Sequence, residues 1–161
     1  MRVSIRAASP EDLPSLLPMM RSLYEHERLA FPEPTIRAAL GELFASPGTG
    51  GVRLVLDDDR VAGYAVVTWG FSTEQGGRFL LLDELFVLPE SRGRGVGRRA
   101  LALLEEEARR DGARAVRLEV GETNARAREL YRSAGYADPG RRFLAKRLEP
   151  AGTARGLPPE T

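Results

Sequence analysis

Between residues 85 and 136 the chain reads as strand, short glycine-rich turn, helix, strand and second helix, and the rest of the chain is organised around this stretch. Leu85, Phe86, Val87 and Leu88 are apolar and β-prone, and Pro89, which has no N–H to give a ladder, stops them. Arg92-Gly93-Arg94-Gly95-Val96-Gly97 follows, and an amphipathic helical pattern opens directly after it. Such a turn leaves successive backbone N–H groups unpaired at a helix N-terminus, where the macrodipole is positive. Glycine lets backbone approach a ligand closely, and Arg92, Arg94, Arg98 and Arg99 add positive charge. The combination describes an anion site suited to a phosphate or pyrophosphate, which takes several N–H donors at once.

Spacing narrows the choice of ligand. The glycines at 93, 95 and 97 break the dinucleotide pattern GxGxxG at Arg98, and no Gly-Lys-Ser/Thr follows for a nucleotide P-loop. Arg-x-x-Gly-x-Gly does fit, at Arg92, Gly95 and Gly97. Downstream, Asn124-x-x-Ala127-x-x-Leu130-Tyr131-x-x-x-Gly135-Tyr136 forms a second, independent motif. On these two motifs, in order and separated by one helix and one strand, the chain resembles the GNAT superfamily of acetyl-CoA-dependent N-acetyltransferases over about residues 3–148.

The resemblance implies an α/β (α+β) fold: a single GNAT-like domain over residues 1–149, with a central, mostly antiparallel mixed sheet and helices on both faces. It implies acetyl-CoA as the donor and coenzyme A as product. The turn from Arg92 through Gly93, Arg94, Gly95, Val96 and Gly97 to Arg98 would take the pyrophosphate, and the backbone of Leu85, Phe86 and Val87 would pair with the pantetheine arm. Asn124, on a helix with Ala127 and Tyr131, would cap that helix and bond the same arm. Tyr131 stands where the family carries the tyrosine that protonates the departing thiolate.

Transfer to an amine also needs a proton acceptor, because an alkylamine with a pKa of about 10 is mostly protonated at neutral pH. Asp83, Glu84 and Glu119 fall in strands expected to border the acetyl group. Side chains alternate along a strand, so only one of Asp83 and Glu84 is expected to face a given cavity. The segment around Asp83 resembles polyamine-type and aminoglycoside-type members, and Leu118-Glu119-Val120 resembles the ribosomal-protein N-terminal alanine acetyltransferases. Asp83 and Glu84 rank together ahead of Glu119, and a water relay is an alternative to each. His26 lies in a polar loop and reads as solvated.

The rest of the chain bounds these readings. Its 161 residues suit one domain, and its net charge of +1 supports neither a nucleic-acid nor a membrane-surface partner. There is no cysteine, which removes a cysteine acyl-enzyme and favours direct attack in a ternary complex; no metal site is expected. Without an apolar leader or a membrane-length apolar run, a cytoplasmic location is the expectation. The remaining expected elements are a first strand at residues 3–7, a helix opened by Ser9-Pro10-Glu11-Asp12, and a helix at 35–46. After these come a hairpin of 52–56 with 61–69, closed by Asp57-Asp58-Asp59, and a strand at 78–88. A helix at 96–111, strands at 115–120 and 142–148, and a helix at 124–134 complete the list. Residues 150–161 are rich in Gly and Pro and are expected to form a disordered tail. The acceptor is left open between a small amine, such as a polyamine or aminoglycoside, and a protein amine, and the family also allows a homodimer. The alternative reading is a catalytically silent acyl-CoA-binding module.

Overall fold

A computed structural model describes residues 1–148 of the chain, so the tail expected from residue 150 lies outside the described residues. The elements run β1 (Val3–Ala7), α1 (Leu13–His26), α2 (Glu33–Ala45), β2 (Gly50–Asp57), β3 (Arg60–Ser72), β4 (Gly77–Val87), α3 (Val96–Arg110), β5 (Ala115–Leu118) and α4 (Ala125–Ser133). The strands form one sheet in sequence order, antiparallel from β1 to β4, with β5 added parallel to β4. None of the described helices is long and apolar enough to cross a membrane.

Alternation along β3 divides the core into two layers. Tyr64 and Val66 pack with Leu16, Met20, Ile36 and Leu40 from α1 and α2, whereas Ala65 and Val67 pack with Leu101, Leu104 and Ala108 of α3. Both faces of the strand are therefore covered, which is why residues 62–67 read as an unbroken buried run. The start of α1 follows its sequence signal. The Asp12 carboxylate accepts the Ser9 N–H at 2.9 Å and pairs with Arg6 at 2.7 Å, ahead of the first full helical turn.

Two expectations need correction. Residues 142–148 form no strand: Phe143, Leu144 and Leu148 are 75%, 89% and 80% exposed, and no sheet edge pairs with them among the described residues. β-propensity cannot order a segment that lacks both a ladder partner and a covered face. The fifth strand also stops at Leu118, two residues early, leaving Glu119 and Val120 in the loop that follows.

Candidate active site

The site is made by a bulge in β4. β3 pairs Val66 with Glu84 and Val67 with Leu82, so Asp83 has no partner on β3 and is an extra residue in β4. The consequence is a change of facing. Leu80 and Leu82 pack toward α3, and beyond the bulge Leu85 joins the same layer while Glu84 and Phe86 turn toward α1. The expectation that only one of Asp83 and Glu84 could face a cavity fails here, because strict alternation stops at a bulge. Both line a cleft of about 230 Å³, together with Glu27 at the end of α1, Glu119, Asn124 and Tyr131.

The same bulge ends pairing between β4 and β5. β5 follows β4 only from Phe79 to Leu82; from Leu85 to Val87, β4 keeps β3 on one side and no strand on the other. That bare edge leads from the cleft toward the glycine turn, as an extended pantetheine arm would require.

At the turn, Gly93 (φ 76°) and Gly95 (φ 80°) occupy left-handed conformations, and Gly95 caps α3. A Cβ on either would meet no protein atom within 4 Å, so the backbone is open to an approaching anion. The arginines, in contrast, are mostly engaged elsewhere. Arg92 donates to the Val87 carbonyl at 2.8 Å, Arg94 pairs with Asp57 at 2.5 Å, and Arg98 donates to Ser133 Oγ at 2.5 Å. What the turn could offer an anion is therefore chiefly the N–H groups of the first turn of α3. Gly97 sits where three elements converge, since a Cβ there would lie 3.6 Å from Leu130 of α4 and from Val87 of β4.

Asn124 caps α4, its Oδ1 accepting the Ala127 N–H at 3.1 Å. About two turns on from Asn124, Tyr131 packs edge-to-face on Tyr136, with ring centroids 5.8 Å apart. Burial, aided by the charge of Glu27, pushes its hydroxyl up to about 12, so it keeps its proton across the working pH range.

Glu84 was visible in the sequence, but its partners were not. Its two carboxylate oxygens accept from Tyr24 at 3.0 Å and from Tyr64 at 2.7 Å. Burial raises the Glu84 pKa, the two tyrosine bonds oppose that rise, and the charges of Asp83 and Glu27 add to it. The tyrosines are raised in turn, by burial first and by Glu84 next. Asp83 is more exposed than Glu84, yet the cleft wall removes enough water to raise its pKa as well. Glu119 is exposed at the cleft margin.

Glu27 was missed altogether. α1 ends with Arg28 at φ 57°, the Leu29 N–H bonding the Tyr24 carbonyl and the Arg28 N–H bonding that of Glu25, a Schellman arrangement without its usual glycine. This ending brings Glu27 and Leu29 to the cleft, while His26, the last residue of the helix, does not line it. A larger concavity of about 380 Å³, at the other end of β5 between α3 and Tyr136, is separate from this constellation.

Comparison with known proteins decides what this geometry belongs to. Residues 19–136 match the Acetyltransferase (GNAT) family. The chain belongs to that family. It is 30% identical over 151 residues to thialysine N-epsilon-acetyltransferase of Bos taurus, covering 84% of this chain and 85% of the relative. An IAA acetyltransferase of Azospirillum brasilense is 37% identical over 81 residues, about half of each chain. Among solved structures, an integron cassette protein from the mobile metagenome of Cole Harbour Salt Marsh superposes with a TM-score of 0.77 at 32% identity, over 91% of both chains. As a GNAT acetyltransferase the chain is an acetyl-transferring enzyme, in a family that generally uses acetyl-CoA as donor. The bare β4 edge and the open glycine turn suit that donor.

Proposed function

We propose that this acetyltransferase acetylates the primary amine of a small, cationic acceptor of the lysine side-chain or diamine type. The observation that carries the reading is the cleft lining: four carboxylates (Glu27, Asp83, Glu84 and Glu119) and no lysine, arginine or histidine. Burial raises the Glu84 pKa and the charges of Asp83 and Glu27 add to the rise, a cost that a bound ammonium ion relieves. A neutral or anionic amine gains nothing from it. The name of the thialysine-acetylating relative, whose acceptor is a lysine analogue, points the same way.

Acetyl-CoA supplies the acetyl thioester when bound. The turn of residues 92–98 would hold its pyrophosphate through backbone N–H groups, and Leu85 to Val87 would pair with its pantetheine arm. Asp83, free of hydrogen bonds to protein among the described residues and set at the bulge, takes the ammonium proton directly or through water. Glu84 is fixed by Tyr24 and Tyr64 and serves as the standing negative charge that orients the acceptor. The amine nitrogen would then attack the bound thioester, the C–N bond forming as the C–S bond breaks; Tyr131 would give its proton to the departing sulfur and recover one from the acylated nitrogen through water, so that a neutral amide and a free thiol leave. Asn124 keeps α4, and with it Tyr131, in place.

The test is an acceptor panel assayed by coenzyme A release, with the parent beside Glu27→Gln and Asp83→Asn. Diamines and lysine-type amines should exceed neutral and aromatic amines by at least tenfold in kcat/KM. Glu27→Gln should raise the KM of the amine without moving that of acetyl-CoA. Preference for a neutral amine, or an unchanged amine KM in Glu27→Gln, would defeat the reading.

A further inference from the structure

The three consecutive aspartates at 57–59 divide between two tasks. Asp58 (φ 46°) and Asp59 (φ 64°) are the two central residues of the hairpin turn closed by the Asp57–Arg60 pair, and both backbone angles are those a two-residue type I′ turn requires. Asp57 is different. It is the last residue of β2, only 8% exposed, flanked in the sheet by Val3 of β1 and Arg60 of β3. Its Oδ2 accepts from Arg94 Nη2 at 2.5 Å, and its buried Oδ1 has no hydrogen-bond partner among the described residues.

A hairpin does not need a buried carboxylate at this position. Leaving half of its acceptor capacity unsatisfied is costly, so the retained half must do something the turn alone cannot. What it holds is the centre of the glycine turn: Arg94 lies between Gly93 and Gly95, both in the left-handed region and both with open space around them. Two glycines flanking one residue make this among the most permissive stretches of backbone in the chain. Its N–H groups converge on an anion only in one conformation, and a turn fixed in advance binds more tightly than one that must be ordered by its ligand. The ion pair ties that turn, across 37 positions of sequence, to the rigid end of the sheet.

We propose that Asp57 is a positioning residue for the donor's diphosphate: acting through Arg94, it holds the Gly93–Gly97 turn in its anion-receiving shape without touching the donor. The inference rests on the assignment of that turn to the acetyl-CoA pyrophosphate.

The sign of the effect separates positioning from simple electrostatics. A negative charge close to a diphosphate repels it, so a purely electrostatic Asp57 would give tighter donor binding once neutralised. Positioning gives weaker binding. The experiment compares the parent, the isosteric Asp57→Asn, the smaller Asp57→Ser, Arg94→Met and the Asp57→Asn/Arg94→Met double variant, all in the full chain. The donors are acetyl-CoA and S-acetylpantetheine, which carries the thioester arm without the diphosphate. Urea melts identify any variant that has not folded, and the remaining Asp57 variant then carries the test.

Asp57→Asn should raise the KM for acetyl-CoA about fivefold while kcat and the amine KM stay within about twofold. The preference for acetyl-CoA over S-acetylpantetheine should fall by the same factor. The double variant should be no worse than Arg94→Met alone, because Asp57 has no route to the donor except through Arg94. An unchanged or lowered acetyl-CoA KM in Asp57→Asn, equal losses on both donors, or additive losses in the double variant would each overturn the proposal. If the parent itself uses the two donors equally well, the assignment of the glycine turn fails first, and the proposal falls with it.

Discussion

Replacing Tyr64 with Phe removes one oxygen atom from the most buried aromatic ring of the protein and tests whether Glu84 is held as an ion. Tyr64 is 0% exposed, and its hydroxyl donates to Glu84 at 2.7 Å. The ring is otherwise unchanged, so no cavity larger than a hydroxyl opens, and the cost comes from the lost bond. A hydrogen bond to a charged, half-buried acceptor contributes about 1.5–3 kcal/mol. With Tyr24 still bonded to the other oxygen at 3.0 Å, about 2 kcal/mol is the expected loss, or a fall in Tm of about 4–8 °C for a chain of this length. The pH dependence is the sharper test. Tyr64 stabilises the ionised form, so its removal raises the folded-state pKa of Glu84 further above the unfolded value. The penalty should be fully present above that folded pKa and should shrink as pH falls through it and Glu84 takes a proton. Urea denaturation of both proteins at pH 8 and near pH 5 measures this. A loss below about 0.5 kcal/mol, or one equal at both pH values, refutes a charged Glu84 held by tyrosine.

Three further outcomes follow from the same geometry. Tyr131→Phe should keep acetyl-CoA affinity and lower turnover at saturating amine by about tenfold or more, and a titration beside steady-state kinetics separates the two. Gly63→Ala should destabilise by about 1–3 kcal/mol in urea melts, because the new Cβ would lie 2.1 Å from the Phe86 carbonyl and push β4 away from β3 at the donor edge. Asp59→Gly should stabilise by about 0.5 kcal/mol, the relief of a left-handed aspartate exceeding the added freedom of the unfolded chain, and a Tm rise of 1–2 °C in order of magnitude checks it.

What the sequence revealed and what it hid have physical explanations. The glycine turn, α3 and the Asn124 cap carry local chemistry that acts wherever the chain goes, so their residues could be read directly. The bulge at Asp83 has no such mark: no Gly or Pro stands between Arg78 and Val87, and only the register against β3 exposes the extra residue. With the bulge unseen, Asp83 and Glu84 looked mutually exclusive. The Glu27 position was hidden for a related reason, since the helix ending that delivers it uses Arg28 in place of the glycine that would have signalled it. The role of Tyr64 could not be read from its place in the 61–69 strand, because its hydrogen bond to Glu84 depends on a partner 20 residues away. The strand expected at 142–148 failed in the opposite sense, its apolar residues being present and a partner edge missing among the described residues.

The acidic cleft is tested most directly by coenzyme A release from acetyl-CoA with a terminal diamine and with an uncharged primary amine of similar length, at matched concentrations. Fast release with the diamine, slow release with the uncharged amine, and N-acetylated diamine as the product are the predicted result. Equal rates for the two amines would contradict a cleft that selects positive charge, and no release with either would contradict the acceptor class itself.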